Sequence, residues 1–405
     1  MGVAGCRLQV SWYKKYIRAC MKQVQPVSGN LQSQTNTTMQ TIGILGLGEG
    51  RSMISAALQS SKAHLKLICD RNEALCRERA EEFRFHDYTT EYQRMLDDKD
   101  ISLIAIYTPD VLHAAHIKMA LLHNKHVICT KPLINDLSQA KELLELQQQT
   151  GKKIFVGQSS RFFEPMRRQR KDYEEGLIGE LITIEAYYHA DHRWFLKKPW
   201  ALEESFKWLY GGLSHPTDFI RWYLPDIEEV MGYGMLSSNG KKGGLKNADT
   251  MHFIFKAADG RIARVSGCYT GPVQPVTRDS EMSCILRGTE GCSQGDYMDL
   301  RYAITDKTGE ERVITWEHKL PYYFRFEGKT HHAGEYQNYL EYFIDSIEQG
   351  FTAYPDLQEG IGTIALLQAM EESLQTGRPV KVKELLNRYG LASETSATGA
   401  RYTKH

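Results

Sequence analysis

The chain carries no net charge: 50 Lys and Arg offset 50 Asp and Glu over 405 residues. That balance argues against a partner held by bulk electrostatics, such as a nucleic acid. The one short basic run, Arg167–Lys171, reads as a solvated helix face. Long apolar runs are also missing; none approaches the ~18 residues of a membrane span, so a membrane is not expected as a partner either. The eight cysteines form no C-x-x-C pair, which argues against structural zinc. Cys69 and Cys129 end apolar strand patterns and read as reduced core thiols of a cytoplasmic protein. Acids are absent from residues 1–38, which are basic and pass into a polar stretch before Met39. They also lack the continuous apolar core of a secretory signal. This head reads as a disordered or non-native extension with Met39 the native start, or as an organellar transit peptide.

What is present begins at Thr41. The stretch TIGILGLGEGRS is an apolar strand pattern running into a glycine turn at Gly46 and Gly48, followed by a helix-forming segment. A second strand pattern, LKLICD, closes on Asp70. Such a turn lets the backbone approach a pyrophosphate, whose charge rests on the N–H groups of the next helix. Asp70 stands where a carboxylate accepts the adenosine ribose hydroxyls, repels a 2′-phosphate and so favours NAD over NADP. Arg71 beside it is the group able to swing toward such a phosphate. The fingerprint departs from G-x-G-x-x-G at its third glycine: position 51 is Arg51, and Gly50 comes one residue early. Arg51 is therefore expected near the pyrophosphate, with helix and strand held further apart than glycine permits.

Strand and helix patterns then alternate through ISLIAIYTP, HVICTKP and KIFVGQSS, the signature of a parallel sheet covered on both faces. From Glu180 to about Trp316 the reading changes to longer strands of two-residue periodicity with glycine turns, an antiparallel sheet. Two helices, each ending at a glycine, follow.

The order of motifs resembles the Gfo/Idh/MocA oxidoreductases from Met39 to about Val382. The residues that carry the likeness are Tyr107-Thr108-Pro109-Asp110 with His113, His126-Val127-Ile128-Cys129-Thr130-Lys131-Pro132, Arg161, the turn Gly176–Glu180, Gly288-Thr289-Glu290-Gly291, and Ala369, Ser373 and Gly377 of the last helix. The resemblance implies an α/β protein with a Rossmann dinucleotide-binding domain over 39–160. A C-terminal α+β domain over 161–390 follows, with a large open, mainly antiparallel sheet, and 391–405 is a flexible tail. It implies NAD as cofactor, touched by Gly46, Gly48, Gly50, Arg51, Asp70, Arg71, Thr108, Pro109, His113 and Lys131. The substrate is a small carbohydrate or cyclitol, and the open sheet face, which needs a partner to bury it, pairs copies into a homodimer or homotetramer.

Oxidising a secondary alcohol needs a hydride acceptor and a base for the hydroxyl proton. Lys131, at the carboxyl end of a buried strand, is placed to donate to the developing alkoxide, and His215 to exchange the proton. The family's D-x-x-x-H is here Gly211-Gly212-Leu213-Ser214-His215: the histidine is kept and the acid lost. Asp218, three residues on, either orients the ring or caps the helix. The segment Tyr187–Trp200 mixes aromatic faces with polar groups, as a carbohydrate site does and as subunit interfaces do; Tyr188 is its substrate candidate, beside Arg161 and the pair His331 and His332 at the entrance to a C-terminal helix. His189, Asp191, His192 and Arg193 cannot converge on a metal, because alternate strand residues face opposite ways. Two other readings accompany the oxidoreductase: a glycoside-cleaving or rearranging enzyme that keeps NAD bound through a transient oxidation, and a non-catalytic dinucleotide-binding regulator.

Overall fold

Short, almost wholly apolar segments build the first sheet. All four residues of Leu103–Ile106 are buried, as are the middle residues of His126–Thr130 and all of Ile154–Gly157. Strands buried on both faces need a covered parallel sheet, and the computed structural model, which describes residues 39–275, 280–326 and 332–391, contains one. Strands β1 (Gln40–Leu45), β2 (Ala63–Cys69), β3 (Tyr88–Thr89), β4 (Leu103–Ile106), β5 (His126–Thr130) and β6 (Ile154–Gly157) lie in the order 3-2-1-4-5-6. All the pairings are parallel. The order reverses between β1 and β4, and ligands of such sheets bind at the carboxyl ends beside that point.

The second sheet holds nine strands among the described residues: β7 (Leu181–Ala190), β8 (Ile227–Met235), β9 (Thr250–Ala257), β10 (Ile262–Cys268), β11 (Ser280–Gly288), β12 (Cys292–Asp296), β13 (Arg301–Thr305), β14 (Glu311–Thr315) and β15 (Val380–Lys381). Their order is 14-13-12-11-7-10-9-8-15, antiparallel except for β7 beside β10. Alternation sorts the faces: Met251, Phe253, Phe255 and Ala257 of β9 are buried, whereas His252, Ile254 and Lys256 are exposed. Helices Glu164–Glu174, Ser214–Tyr223 and Leu357–Thr376 cover the inner face.

Chain order and packing part company at the end. Helix Gly334–Gln349 returns to the first sheet, where Tyr339 stacks on Phe155 at 5.5 Å and shares a hydroxyl hydrogen bond with Tyr107. Leu340, Phe343 and Ile344 join Ile44, Ile128 and Phe155 in one apolar cluster. Helix Leu357–Thr376, capped by Asp356 accepting from Glu359 N at 3.0 Å, then links the sheets. Gly360 fits against Val156 of the first and Leu133 in the loop after β5, and Ser373 Oγ accepts from Gly232 N at 3.0 Å in the second. A boundary at 160/161 thus describes the order of strands but not the packing, since the first sheet is sealed by residues near 340.

Residues 1–38 and 392–405, assigned above to an extension and a tail, lie outside the described residues; Leu391 itself is buried. Cys69 and Cys129 are buried free thiols. Among the described residues no helix is long and apolar enough to cross a membrane.

Candidate active site

Three glycines at the end of β1 have three different tasks. Gly46 adopts φ +86°, and a Cβ there would stand 2.6 Å from Thr108 N, so both conformation and crowding require glycine. Around Gly48 a Cβ would meet nothing within 4 Å; this is open space over the turn. Gly50 is the first residue of helix Gly50–Gln59, and a Cβ on it would come 3.2 Å from Ile44 Cγ2 and 3.6 Å from Tyr107 Cβ. It is therefore Gly50 that lets helix and strand close, which corrects the expectation that Arg51 would hold them apart. Arg51 also does not point at the turn as expected: its Nε donates to Glu82 Oε1 at 2.7 Å and its guanidinium lies 4.3 Å over the Phe326 ring.

Asp70 has a second task that sequence did not suggest. Its Oδ2 accepts from Leu47 N and its Oδ1 from Asn72 N, both at 2.9 Å. Arg79 Nε donates to Leu47 O at 3.2 Å, so the turn is braced from both sides. Each carboxylate oxygen retains a lone pair for a ribose hydroxyl. Arg71 is exposed.

At the ends of β4 and β5, His113 is 1% exposed, with Nε2 2.7 Å from Thr108 O and Nδ1 2.8 Å from Pro132 O. Both ring nitrogens face backbone carbonyls, and burial favours the neutral ring, so its single N–H donates to one of the two and neither nitrogen is turned toward a dinucleotide. His113 is corrected from a cofactor contact to a clamp that fixes Thr108 and the Lys131-Pro132 loop. Thr108 Oγ1 in turn lies 3.0 Å from His116 Nδ1, and Pro109 leads into the turn Asp110–Leu112.

That clamp presents Lys131, whose Nζ donates to the main-chain oxygen of Gly211 at 2.5 Å. Where the family pattern has an acid, this chain offers a carbonyl, and a Cβ at Gly211 would meet nothing within 4 Å. Burial holds the lysine below its ordinary pKa, against the weaker pull of Glu49 and Asp110. One turn on, His215 is 8% exposed; its Nδ1 lies 3.1 Å from Ser160 Oγ, and its Nε2 has no partner among the described residues. Burial, then the charges of Lys131 and His332, push its pKa well below the usual histidine value, so the ring is neutral at neutral pH. His192, which sequence left aside, is drawn down to about 4 by burial and by Lys131. Tyr188 lies between the two, its ring centroid 5.9 Å from His192 and 6.3 Å from His215. His332 hydrogen-bonds the buried Glu335 through Nδ1. Burial opposes its charge, but the Glu335 carboxylate prevails and its pKa is raised. His331 lies outside the described residues.

Arg161 and Asp218 are absent from this group. Arg161 Nε and Nη2 grip Asp218 Oδ2 and Oδ1 at 2.5 and 2.7 Å, and Nη1 reaches Glu359 Oε2 at 2.9 Å. Arg161 is 3% exposed and Asp218 not at all, so neither meets a substrate and Asp218 neither orients His215 nor caps its helix. They tie the loop after β6 to helices Ser214–Tyr223 and Leu357–Thr376. Sequence reasoning missed Ser160, Glu335 and Glu49. Ser160 sat unremarked beside Arg161, and nothing local marks its partner.

Two family models match the chain: an oxidoreductase family NAD-binding Rossmann fold over residues 40–158, and the C-terminal alpha/beta domain of the same family over 170–382. Among curated proteins, a 1-carboxy-3-chloro-3,4-dihydroxycyclohexa-1,5-diene dehydrogenase of Comamonas testosteroni is 28% identical over 44% of this chain and 46% of its own, so that less than half of that relative is spanned. A levoglucosan dehydrogenase of Pseudarthrobacter phenanthrenivorans is 28% identical over 62% of this chain and 72% of its own. Among solved structures, an oxidoreductase from Agrobacterium radiobacter in complex with NAD+, L-tartaric acid and magnesium superposes with a TM-score of 0.76 at 20% identity, covering 86% of this chain and all of the other. With both family models matched in order over a dinucleotide cradle and a buried lysine, the chain belongs to the Gfo/Idh/MocA family of oxidoreductases.

Proposed function

We propose that the protein is an NAD-dependent oxidoreductase that moves hydride between the nicotinamide and a secondary hydroxyl of a sugar, sugar derivative or cyclitol. The observation that carries this reading is the convergence of Lys131 and a neutral His215, its Nε2 without a partner among the described residues, at the carboxyl end of the Rossmann sheet. The cradle fits the cofactor: Gly48 leaves its Cα open to a phosphate, and Asp70 is held rigidly at the end of β2. Gly46, Gly48, Asp70, Thr108 and Pro109 would hold NAD, with Lys131 at its reactive end. Bound there, it supplies the acceptor for the hydride leaving the carbinol carbon. Lys131 donates to the hydroxyl oxygen as negative charge grows on it, and His215 Nε2 takes the hydroxyl proton, leaving a carbonyl product. Ser160 Oγ accepts from Nδ1 and so keeps the Nε2 lone pair toward the substrate. Tyr188 and His332 border the same space as substrate contacts. The levoglucosan dehydrogenase relative supports a carbohydrate as substrate.

A second reading has its own support. The His332–Glu335 pair gives the pocket a proton donor as well as a base, the set that a glycoside-cleaving reaction with retained NAD needs. Purified protein should be assayed for copurifying NAD, then given sugars, cyclitols and glycosides. Net NADH formation is expected; cleavage without net reduction selects the second reading, and neither product rejects both.

Assembly into a homodimer or homotetramer through the second sheet belongs to the same proposal. Its outer face exposes Tyr233, Met235, Ile254 and Ile262 around the Arg264–Glu185 pair. Free buried thiols agree with a cytoplasmic setting.

A further inference from the structure

Beyond the reacting centre, an aromatic wall runs outward from His192. The segment is pinned at both ends: His192 N donates to Tyr269 O at 2.9 Å, and Asn247 Nδ2 donates to Phe206 O at 2.8 Å. Between those points the His192 ring meets Phe195 edge-on at 5.5 Å, Trp194 stacks on Phe195 at 3.8 Å, and Phe195 meets Trp200 at 5.5 Å. The inner end is buried, but Trp194 and Phe195 are half-exposed and Trp200 is 45% exposed. Lys198 Nζ stands 4.7 Å from the Phe195 centroid and makes no ion pair among the described residues. The Asp191–Arg193 pair marks the start of the same segment.

A ring that serves only the core is covered on both faces. Here the cover falls away with distance from His192, while hydrogen-bonding groups stay at the rim. Aromatic faces with polar groups beside them suit a pyranose, whose C–H faces are apolar and whose hydroxyls are not. The wall is continuous with the centre, because Tyr188 borders both His215 and His192. We infer that the Trp194–Trp200 wall is a second sugar subsite, and that the substrate is a glycoside of two or more rings, with one ring at Lys131 and His215 and the next on Trp194, Phe195 and Trp200. This inference rests on the sugar oxidoreductase reading.

The test uses the full chain with NAD and a set of disaccharides of glucose, galactose and xylose beside their parent monosaccharides. The best disaccharide should exceed its monosaccharide in kcat/KM by about tenfold or more, and Trp200→Ala should raise its KM by about tenfold, a loss of roughly 1.4 kcal/mol. The kcat, and the rate on monosaccharide, should stay within about twofold. Quenching of tryptophan fluorescence by the disaccharide should weaken in parallel in Trp194→Ala. A wild-type preference for free monosaccharides, or equal effects of Trp200→Ala on both substrates, overturns the subsite. So does a change of oligomeric state in Trp200→Ala by light scattering with sugar kinetics intact, which would make the wall a contact between copies. If no sugar is oxidised but disaccharide binding is present and lost in Trp200→Ala, the subsite stands and the redox reading falls; if no disaccharide binds, the subsite falls.

Discussion

The turn at Gly46–Gly50 and the pocket around His215 lie at the same end of one sheet, yet they are built by opposite means. The turn uses main chain and vacant space: its glycines matter for what they leave out, and Asp70 braces one of its backbone amides. The pocket uses side chains withdrawn from water, and its two reacting groups are held by partners far away in sequence. His215 leans on Ser160 55 positions earlier, and Lys131 on a carbonyl 80 positions later. The comparison teaches that binding here is local and tolerant of neighbours, whereas chemistry depends on how the two sheets meet.

Breaking the pocket should have the largest effect. Lys131→Met and His215→Asn should each lower turnover by about 10²–10⁴-fold, with the NAD dissociation constant almost unchanged in a titration of the purified variants. Near-normal rates in both would remove the proposed site. The turn should fail in the reverse sense. Because a Cβ at 48 meets no protein atom within 4 Å, Gly48→Val should weaken NAD about 100-fold, some 2.7 kcal/mol, with little change in Tm. A large drop in Tm instead would mean that the space is structural.

The buried Arg161–Asp218–Glu359 cluster separates holding from reacting. Arg161→Met removes the cation that two buried carboxylates share, and should cost about 3–5 kcal/mol of stability in denaturant unfolding. A folded, inactive Arg161→Met protein with normal stability would return Arg161 to the site. Smallest is Ser160→Ala, with kcat reduced about tenfold, the scale of one hydrogen bond near 1.4 kcal/mol. His215 in the wild type stays neutral until pH falls well below the usual histidine range, so the acid limb of kcat/KM for oxidation should lie below about 6.5. Losing an acceptor for Nδ1–H destabilises the imidazolium, so that limb should move to still lower pH in Ser160→Ala. An upward move would mean that Ser160 donates to the ring instead.

What sequence revealed follows the same division. The glycine turn, Asp70 and the alternation of strands are readable because their causes lie within a few residues or at a fixed crossover distance. The misreading of Gly50 arose from counting positions in a motif, when what packing requires is a bare Cα opposite Ile44 and Tyr107. Arg161 entered the site through the family likeness, and Asp218 through its place three residues after His215. That they satisfy one another across 57 positions is set by the meeting of a loop and two helices, which no local pattern encodes. His113 has the same origin: the family likeness makes it a cofactor contact, whereas its ring faces the carbonyls of the loops it packs between.

The return of helix Gly334–Gln349 to the first sheet has a consequence for how the protein is made. Translation delivers β1 to β6 early, with Ile44, Ile128 and Phe155 on a face whose cover is completed by Tyr339, Leu340 and Phe343. At about 5–20 residues per second the nascent sheet waits roughly 10–40 s for that helix, an apolar surface in need of a chaperone's shelter. A fragment ending at residue 160 should accordingly aggregate when expressed alone and regain solubility when residues 161–391 are supplied in trans, with the soluble fraction as the measure. Solubility of the fragment by itself would show that the sheet can keep its face from water without the helix that closes it.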